Sequence, residues 1–154
     1  MSELIAQLKP ISPVIAVFLG AIAAILAGAF MKRESRSALP FVALSALGLA
    51  MVLLFNFWGG KGYLFHGALK PDAFSSFIGA VVLLGAGIAT LASVGYAERA
   101  GIGHGEYYGL MLTSTGGMML MAMSQDFITL FVSLEITSIP IYALTAIAQA
   151  RRRS

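Results

Sequence analysis

Five long apolar segments, each the length of a membrane-spanning helix, constrain the fold of this chain more than any other feature. They cover residues 13–31, 39–58, 73–96, 107–123 and 127–148, with boundaries good to a few residues. The hydrocarbon core of a bilayer requires about 20 apolar residues per helix. The sequence therefore predicts an all-α, polytopic membrane protein with about five transmembrane helices.

Composition supports the same conclusion. Hydrophobic residues make up 58% of the 154 residues and charged residues 11%, against about 25% charged residues in a soluble domain. A soluble chain of this size exposes too much of its surface to hide so many apolar side chains. Residues 1–154 are accordingly predicted to form one transmembrane domain. The absence of cysteine excludes disulfides, thiolate metal sites and iron–sulfur ligation in this chain.

Several residues mark predicted helix ends. Pro40 opens the second segment, where a helix tolerates proline in its first turn. Asp72 and Asp126 stand directly before the third and fifth segments, in positions where a carboxylate caps free backbone N–H groups. The longest connection, Gly59–Pro71, is expected to form a small hairpin on the membrane surface.

Lysine and arginine are distributed unequally between the two sides of the predicted bundle. One side receives Lys9, Lys61 and Lys70. The other receives Lys32, Arg33, Arg36, Arg99, Arg151, Arg152 and Arg153. Because basic residues concentrate on the cytoplasmic side of membrane proteins, the N-terminus is predicted outside and the C-terminus in the cytoplasm.

Glu135 is the ionisable residue that stands apart from this pattern. It is the ninth residue of the fifth segment, whereas the other charged residues and both histidines lie at or beyond predicted helix ends. A charged carboxylate near the middle of a membrane costs at least about 2.5–3.5 kcal/mol. A chain that keeps it there is expected to face it toward protein or water and to use it.

The residues after Glu135 are typical of a local helix defect. Pro140 has no N–H to donate to the carbonyl of Ile136, which leaves that carbonyl to a hydroxyl or water. A buried carboxyl group paired with a lysine on another helix changes its protonation as the partner moves, as a proton relay requires. The alternative is a protonated glutamate that only hydrogen-bonds a neighbouring helix. Glu135 is the candidate proton-transfer residue, and the predicted supporting residues are Thr137, Ser138, Pro140 and Tyr142.

No other catalytic chemistry competes with this site. The sequence has no phosphate-binding glycine loop, no nucleophile elbow and no pair of metal ligands at helical spacing. His66 and His104 both fall in predicted loops. We expect neither a bound metal nor a cofactor in this chain, and no nucleic-acid partner.

The last third of the sequence resembles a known family. The residues that carry the resemblance are Glu106–Tyr108, Gly116–Met119 and the block Asp126–Leu144. Within that block, Leu130-Phe131, Leu134-Glu135, Ser138, Pro140 and Tyr142 follow a pattern, LF-x-x-LE-x-x-S-x-P-x-Y, similar to the antiporter-like subunits of proton-pumping NADH:quinone oxidoreductase, respiratory complex I. Among these subunits the chain is most similar to subunit N.

The resemblance implies that Glu135 is the glutamate of the fifth helix that the family uses in proton translocation, paired with a lysine on the seventh helix. It implies a membrane-arm subunit of a translocase in the cell inner membrane, with other membrane-arm subunits, lipid and protons as partners. This chain would hold no redox centre. NADH, FMN, iron–sulfur clusters and quinone would bind to partner subunits.

The sequence departs from the family in its extent. Family members form a larger antiporter-like fold of two inverted repeats, whereas this sequence ends at Ser154 without an intramembrane lysine. The expectation is therefore the N-terminal five-helix portion of such a fold, either as part of a longer subunit or as a split or reduced version completed by another chain. Two alternatives remain: a subunit of a multi-subunit sodium/proton antiporter or membrane-bound hydrogenase, and a helical scaffold that transports nothing.

Overall fold

A computed structural model describes the backbone of residues 2–31, 37–99 and 105–152, and the side chains of 8–31, 37–95 and 105–150. The described chain forms five helices, α1 Ser2–Phe30, α2 Leu39–Asn56, α3 Ala73–Arg99, α4 Gly105–Met123 and α5 Phe127–Arg152, and a 3₁₀ turn at Phe65–Gly67. The all-α prediction is confirmed. The predicted loop residues Lys32, Arg33, Arg36 and His104, and Arg153 at the C-terminus, lie outside the described residues.

Helix α4 lies at the centre of the bundle. It packs against α1, α3 and α5 and also contacts α2, while α1 packs on α2 and α2 on α3. Four of the described helices, α1, α2, α3 and α5, are long and apolar enough to cross a membrane. Helix α4 is long enough at 19 residues but contains too many polar and glycine residues. Because its neighbours bury it, α4 needs little apolar surface of its own.

Close contacts between α1 and α4 depend on glycine. Gly28 lies against the backbone of Gly105, where a Cβ on either residue would collide with the other. One turn along α4, Gly109 faces the side chain of Ile25 at a distance that also excludes a Cβ. Small residues let helix backbones approach each other in lipid, where burying apolar side chains gains little. These glycines bring α4 against α1 along its first half.

Helix α1 begins at Ser2, about three turns earlier than the predicted start near residue 13, so the predicted start was wrong. Pro10 and Pro13 lie inside the helix. The Ser12 hydroxyl donates a hydrogen bond of 2.7 Å to the carbonyl of Lys9, which is the carbonyl that the missing N–H of Pro13 would otherwise serve. The helix therefore continues through the prolines, and Lys9 belongs to α1. The other helix bounds lie within a few residues of those predicted.

The connection between α2 and α3 contains the expected hairpin in a very short form. Leu64 and Leu69 form an antiparallel bridge, and Leu69 also bridges to Ser124 between α4 and α5. Both leucines are buried. The tip turns through Phe65 and His66, whose φ angles of 49° and 57° lie in the left-handed region that non-glycine residues rarely adopt. This loop closes the end of the bundle where α2, α4 and the N-terminal part of α1 meet.

Asp72 and Asp126 cap α3 and α5 as predicted. The N–H of Ser75 donates to the Asp72 carboxylate at 2.8 Å, and the N–H of Thr129 donates to the Asp126 carboxylate at 2.7 Å. These backbone hydrogen bonds favour the charged carboxylates and lower the pKa of both residues below the ordinary value of 3.8. At Asp72, the ammonium group of Lys70 adds to the effect at a distance of 3.6 Å.

Candidate functional site

Glu135 lies about a third of the way along α5, on the side that turns away from α4. Its side chain is half-buried, and its neighbours on the same face, Phe131, Val132 and Ile139, are exposed. Of the described helices, α4 is the one that packs extensively against α5, and it covers the opposite face. The carboxylate of Glu135 is therefore only partly enclosed by these helices. Full burial in protein would require a segment outside the described residues or another chain.

The opposite face of α5 crosses α4 very closely. A Cβ on Gly117 would lie 2.8 Å from the backbone nitrogen of Thr137 and 3.0 Å from the carbonyl carbon of Ile136. Next to this crossing, the Ser114 hydroxyl donates to the carbonyl of Thr137 at 3.0 Å, and the Thr137 hydroxyl donates to the carbonyl of Ser133 at 2.9 Å. Helices α4 and α5 therefore cross closely at Gly117.

Pro140 places the backbone defect of α5 at the same level. It is buried inside the helix, and its missing N–H deprives the carbonyl of Ile136 of the usual helical partner. The peptide that joins Ile136 to Thr137 is the one that Gly117 touches. The turn that carries Glu135 thus combines a missing helical hydrogen bond with a tight contact to α4.

The predicted supporting residues divide between the two faces of α5. Thr137 is buried against α4, about 200° around the helix from Glu135. Ser138 is half-buried and shares the face of Glu135, as does Tyr142, which is 68% exposed. The structure therefore groups Ser138 and Tyr142 with the carboxylate. Thr137 belongs with Pro140 on the α4 side.

A column of hydroxyl groups on the α4 side of α5 was not predicted. The Thr129 hydroxyl donates to the Asp126 carboxylate at 3.0 Å, and the Ser133 hydroxyl donates to the carbonyl of Thr129 at 2.7 Å. Ser133 also lies 3.4 Å from the hydroxyl of Ser124 on the loop before α5. The signal was available in the sequence, because Thr129, Ser133 and Thr137 recur at four-residue spacing and so share one face.

Among the described side chains, no cation pairs with Glu135. The three described lysines, Lys9, Lys61 and Lys70, all lie at the end of the bundle that holds the α2–α3 connection, and the ion pair found in this part of the chain joins Lys70 to Asp72. The same residues contain no group of three His, Asp or Glu side chains that could hold a metal ion.

A helical bundle in which four of the described helices are long and apolar enough to cross a membrane indicates a polytopic helical membrane protein. Comparison with known proteins makes the assignment more specific. The chain is 36% identical to NADH-quinone oxidoreductase subunit N of Paramagnetospirillum magneticum, over 91% of its own length and 29% of that protein. It is 34% identical to the subunit N of Deinococcus radiodurans, over 95% of its length and 31% of the relative.

The subunit N of Myxococcus xanthus gives a similar result, with 35% identity over 92% of this chain and 28% of the relative. The chain is therefore related to the subunit N family, and the resemblance inferred from the Asp126–Leu144 block is confirmed. The chain spans about three-tenths of the length of these relatives. No family model matches the chain.

Proposed function

We propose that this chain forms the N-terminal part of a membrane-arm subunit of a proton-translocating NADH:quinone oxidoreductase, and that Glu135 transfers protons within it. The observation that carries the proposal is the position of Glu135, half-buried on the face of α5 that no described helix covers, within a helix long and apolar enough to cross a membrane. A carboxylate at that depth is costly unless protein or water faces it. The similarity to NADH-quinone oxidoreductase subunit N supports the proposal that this carboxylate transfers protons within such a complex.

The partner of Glu135 in this proposal is a lysine from a helix outside the described residues. That helix would cover the exposed face of α5 formed by Phe131, Val132 and Ile139. An opposite charge within about 4–6 Å favours the charged form of the carboxyl group, and its withdrawal favours protonation. Movement of the lysine relative to Glu135 would therefore load and release a proton.

The α4 side of α5 has the properties of a support for this exchange. Gly117 and Ser114 hold the peptide between Ile136 and Thr137 and its carbonyl against α4. Pro140 leaves one backbone carbonyl free to bind water next to Glu135. The tight contact with α4 would hold the backbone of α5 in place. The free carbonyl would let water rearrange next to Glu135 when its protonation changes, without loosening the bundle.

The remaining features of the assembly follow from the same proposal. The chain binds no cofactor itself, and NADH, FMN, iron–sulfur clusters and quinone belong to partner subunits. It lies in the cell inner membrane with its N-terminus outside and its C-terminus in the cytoplasm, in agreement with the unequal distribution of basic residues. Redox energy reaches Glu135 through other membrane-arm subunits.

The experiment that tests the proposal is Glu135→Gln in the assembled complex in native membrane vesicles. Proton uptake driven by NADH oxidation should fall severely, since glutamine keeps the shape and hydrogen bonding of the side chain but holds no transferable charge. Glu106→Gln is the matched control, because Glu106 is exposed at the first turn of α4 and should pump normally. The amount of assembled complex in the membranes is measured for each variant.

Normal proton pumping by a fully assembled Glu135→Gln complex would reject the proposal and favour the scaffold alternative. Loss of assembly in both variants would also count against it, because a general folding defect would then explain the loss of pumping. A complex that pumps in response to sodium but not to NADH would favour the antiporter alternative.

A further inference from the structure

A groove runs along the outer surface between α1 and α2, separate from Glu135. Its cavity has a volume of about 560 Å³. Ile15 and Leu19 form one wall, Leu49 and Leu53 form the other, and the helices touch at the floor through Gly20 and Ala46. Apart from the hydroxyls of Ser12 and Ser45, the lining side chains are apolar.

The length of the groove matches one leaflet of a bilayer. Its lining extends along α1 from Ser12 to Ala23, which at 1.5 Å per residue is about 16 Å. Half of the hydrocarbon core of a membrane measures about 15 Å. Ser12 and Leu53 lie at the end of the bundle that holds the α2–α3 connection, so the groove opens at that surface and ends near mid-membrane.

Two lysines stand at the open end. Lys9 precedes Ser12 by three residues and therefore continues the same face of α1, and its side chain is exposed. Lys61 is exposed in the α2–α3 connection. The chain segments that carry the two lysines meet, because a Cβ on Gly60, next to Lys61, would lie 3.5 Å from the Cβ of Pro10, next to Lys9.

The charges of these two lysines are uncompensated among the described side chains. The third lysine of this surface, Lys70, pairs with Asp72 at 3.6 Å and lies over the ring of Tyr63, with its Nζ 5.8 Å from the ring centroid. Neither Lys9 nor Lys61 forms an ion pair with any described carboxylate. The open end of the groove is therefore an exposed site of two positive charges.

Aromatic side chains set the depth of this site in the membrane. Trp58, Tyr63 and Phe65 are exposed in the same connection that carries Lys61, and Phe55 stacks on Trp58 with ring centroids 5.6 Å apart. Tryptophan and tyrosine concentrate at the level of the lipid headgroups. We therefore expect the two lysines to lie at headgroup depth, at the open end of an apolar groove the length of an acyl chain.

We propose that the α1–α2 groove binds an anionic phospholipid, with its phosphate between Lys9 and Lys61 and one acyl chain along the floor formed by Gly20 and Ala46. The charge of the site selects an anionic headgroup, because a zwitterionic lipid would bring its own ammonium group close to the two lysines. The apolar lining and the length of the groove accommodate the acyl chain. The bound lipid forms part of the surface by which α1 and α2 meet the membrane.

Trp58 provides a direct measurement, because it is the single tryptophan of the chain and lies five residues beyond Leu53. The 154-residue chain is reconstituted in phosphatidylcholine vesicles that contain phosphatidylglycerol brominated in its acyl chains. A second preparation holds the same mole fraction of brominated phosphatidylcholine. Bromine quenches tryptophan on contact, so the brominated phosphatidylglycerol should quench Trp58 fluorescence more strongly. Equal quenching by the two lipids would overturn the proposal.

Two pairs of variants separate the headgroup site from the groove. Lys9→Gln with Lys61→Gln should lower the preference for phosphatidylglycerol by about fivefold for each lysine, whereas Lys9→Arg with Lys61→Arg should retain it. Ala23→Leu with Ser45→Leu fills the groove at two exposed positions and should also abolish the preference. Gly48→Leu is the control for added bulk, since a side chain there meets nothing within 4 Å.

A preference that survives the two glutamine substitutions would overturn the role of the lysines. A preference that survives filling of the groove would show that the lipid binds elsewhere, which also overturns the proposal. Helix content measured by circular dichroism identifies any variant that fails to fold, and the arginine pair then supplies the comparison in a folded protein.

Discussion

The hydroxyl of Ser114 on α4 donates a hydrogen bond of 3.0 Å to the backbone carbonyl of Thr137 on α5. Both residues are buried, and the bond joins the central helix to the turn that carries Glu135. Thr137 and Glu135 lie on different faces of α5, so the bond fixes the backbone beneath the carboxylate without touching it. The position of Glu135 therefore depends on α4, although α4 does not cover it.

Removal of this bond should weaken the contact between α4 and α5. Ser114→Ala is expected to lower the free energy of unfolding by about 0.6 kcal/mol, the average for interhelical hydrogen bonds in a membrane protein. Thr113→Val is the matched control, because the Thr113 hydroxyl bonds to the carbonyl of Gly109 within its own helix. Denaturant unfolding in detergent micelles measures both. Equal values for the two variants would contradict an interhelical role for Ser114.

Gly117 should tolerate no side chain at all. Its added Cβ would lie 2.8 Å from the backbone nitrogen of Thr137, and backbone cannot move aside as a flexible side chain can. Gly117→Ala is expected to lower the free energy of unfolding by about 1–3 kcal/mol, the usual cost of overpacking. Gly48→Ala, in open space, should be neutral or slightly stabilising because alanine favours the helix. A loss of stability in both variants would refute the packing argument.

The prolines within α1 allow a double-mutant test. Ser12→Ala removes the hydroxyl that serves the Lys9 carbonyl and should cost about 1 kcal/mol of unfolding free energy. In a Pro13→Ala background the same substitution should cost little, since the alanine introduced in place of Pro13 has an N–H that bonds to that carbonyl. Unfolding of the four proteins measures the coupling. An equal cost of Ser12→Ala in both backgrounds would show that the hydroxyl does not replace the missing N–H.

The cap of α3 should make stability depend on pH in the acidic range. The pKa of Asp72 is lowered in the folded chain, first by the N–H of Ser75, so the unfolded state binds protons before the folded state does. Its contribution to stability is therefore complete above the ordinary pKa of 3.8 and disappears as the pH falls through the lowered folded value. Unfolding free energy measured against pH should show this loss for the wild type.

Asp72→Asn is the control for the pH experiment, because asparagine still caps the helix but does not titrate. Its unfolding free energy should fall less steeply below the ordinary pKa of aspartate. Asp126, the cap of α5, shares the effect and remains in both proteins. If wild type and variant showed identical pH profiles, the Asp72 carboxylate would not contribute to stability through its charge.

The helices and their caps could be predicted from the sequence because both are local. Hydropathy over about 20 residues located every described helix, and Asp72 and Asp126 cap the helices they precede. The predicted start of α1 was wrong because it followed the apolar segment from residue 13, whereas the helix extends back past Lys9, where the Ser12 hydroxyl supplies the bond that Pro13 cannot. The helix face on which Glu135 lies follows from the helical periodicity. Hydropathy does not indicate which segment packs against that face.

The central position of α4 was beyond prediction for the same reason. Its residues Gly105, Gly109 and Gly117 have no local signature that names their partners. Hydropathy counts apolar residues as if every helix faced lipid, whereas α4 is shielded by α1, α3 and α5. The candidate site could not be predicted in full for the same reason. Ser114 and Gly117 contact the turn that carries Glu135, but the sequence did not indicate that α4 packs against α5 there.

The polar composition of α4 also has a consequence for how the chain is inserted. Among the described helices, α4 is the one that lacks the length of apolar sequence needed to remain in a bilayer by itself. Only three residues, Ser124–Asp126, separate it from the strongly apolar α5. We therefore expect α4 to enter the membrane together with α5 as a helical hairpin, or only after α1 is available to receive its glycine face, so that the order of assembly affects insertion.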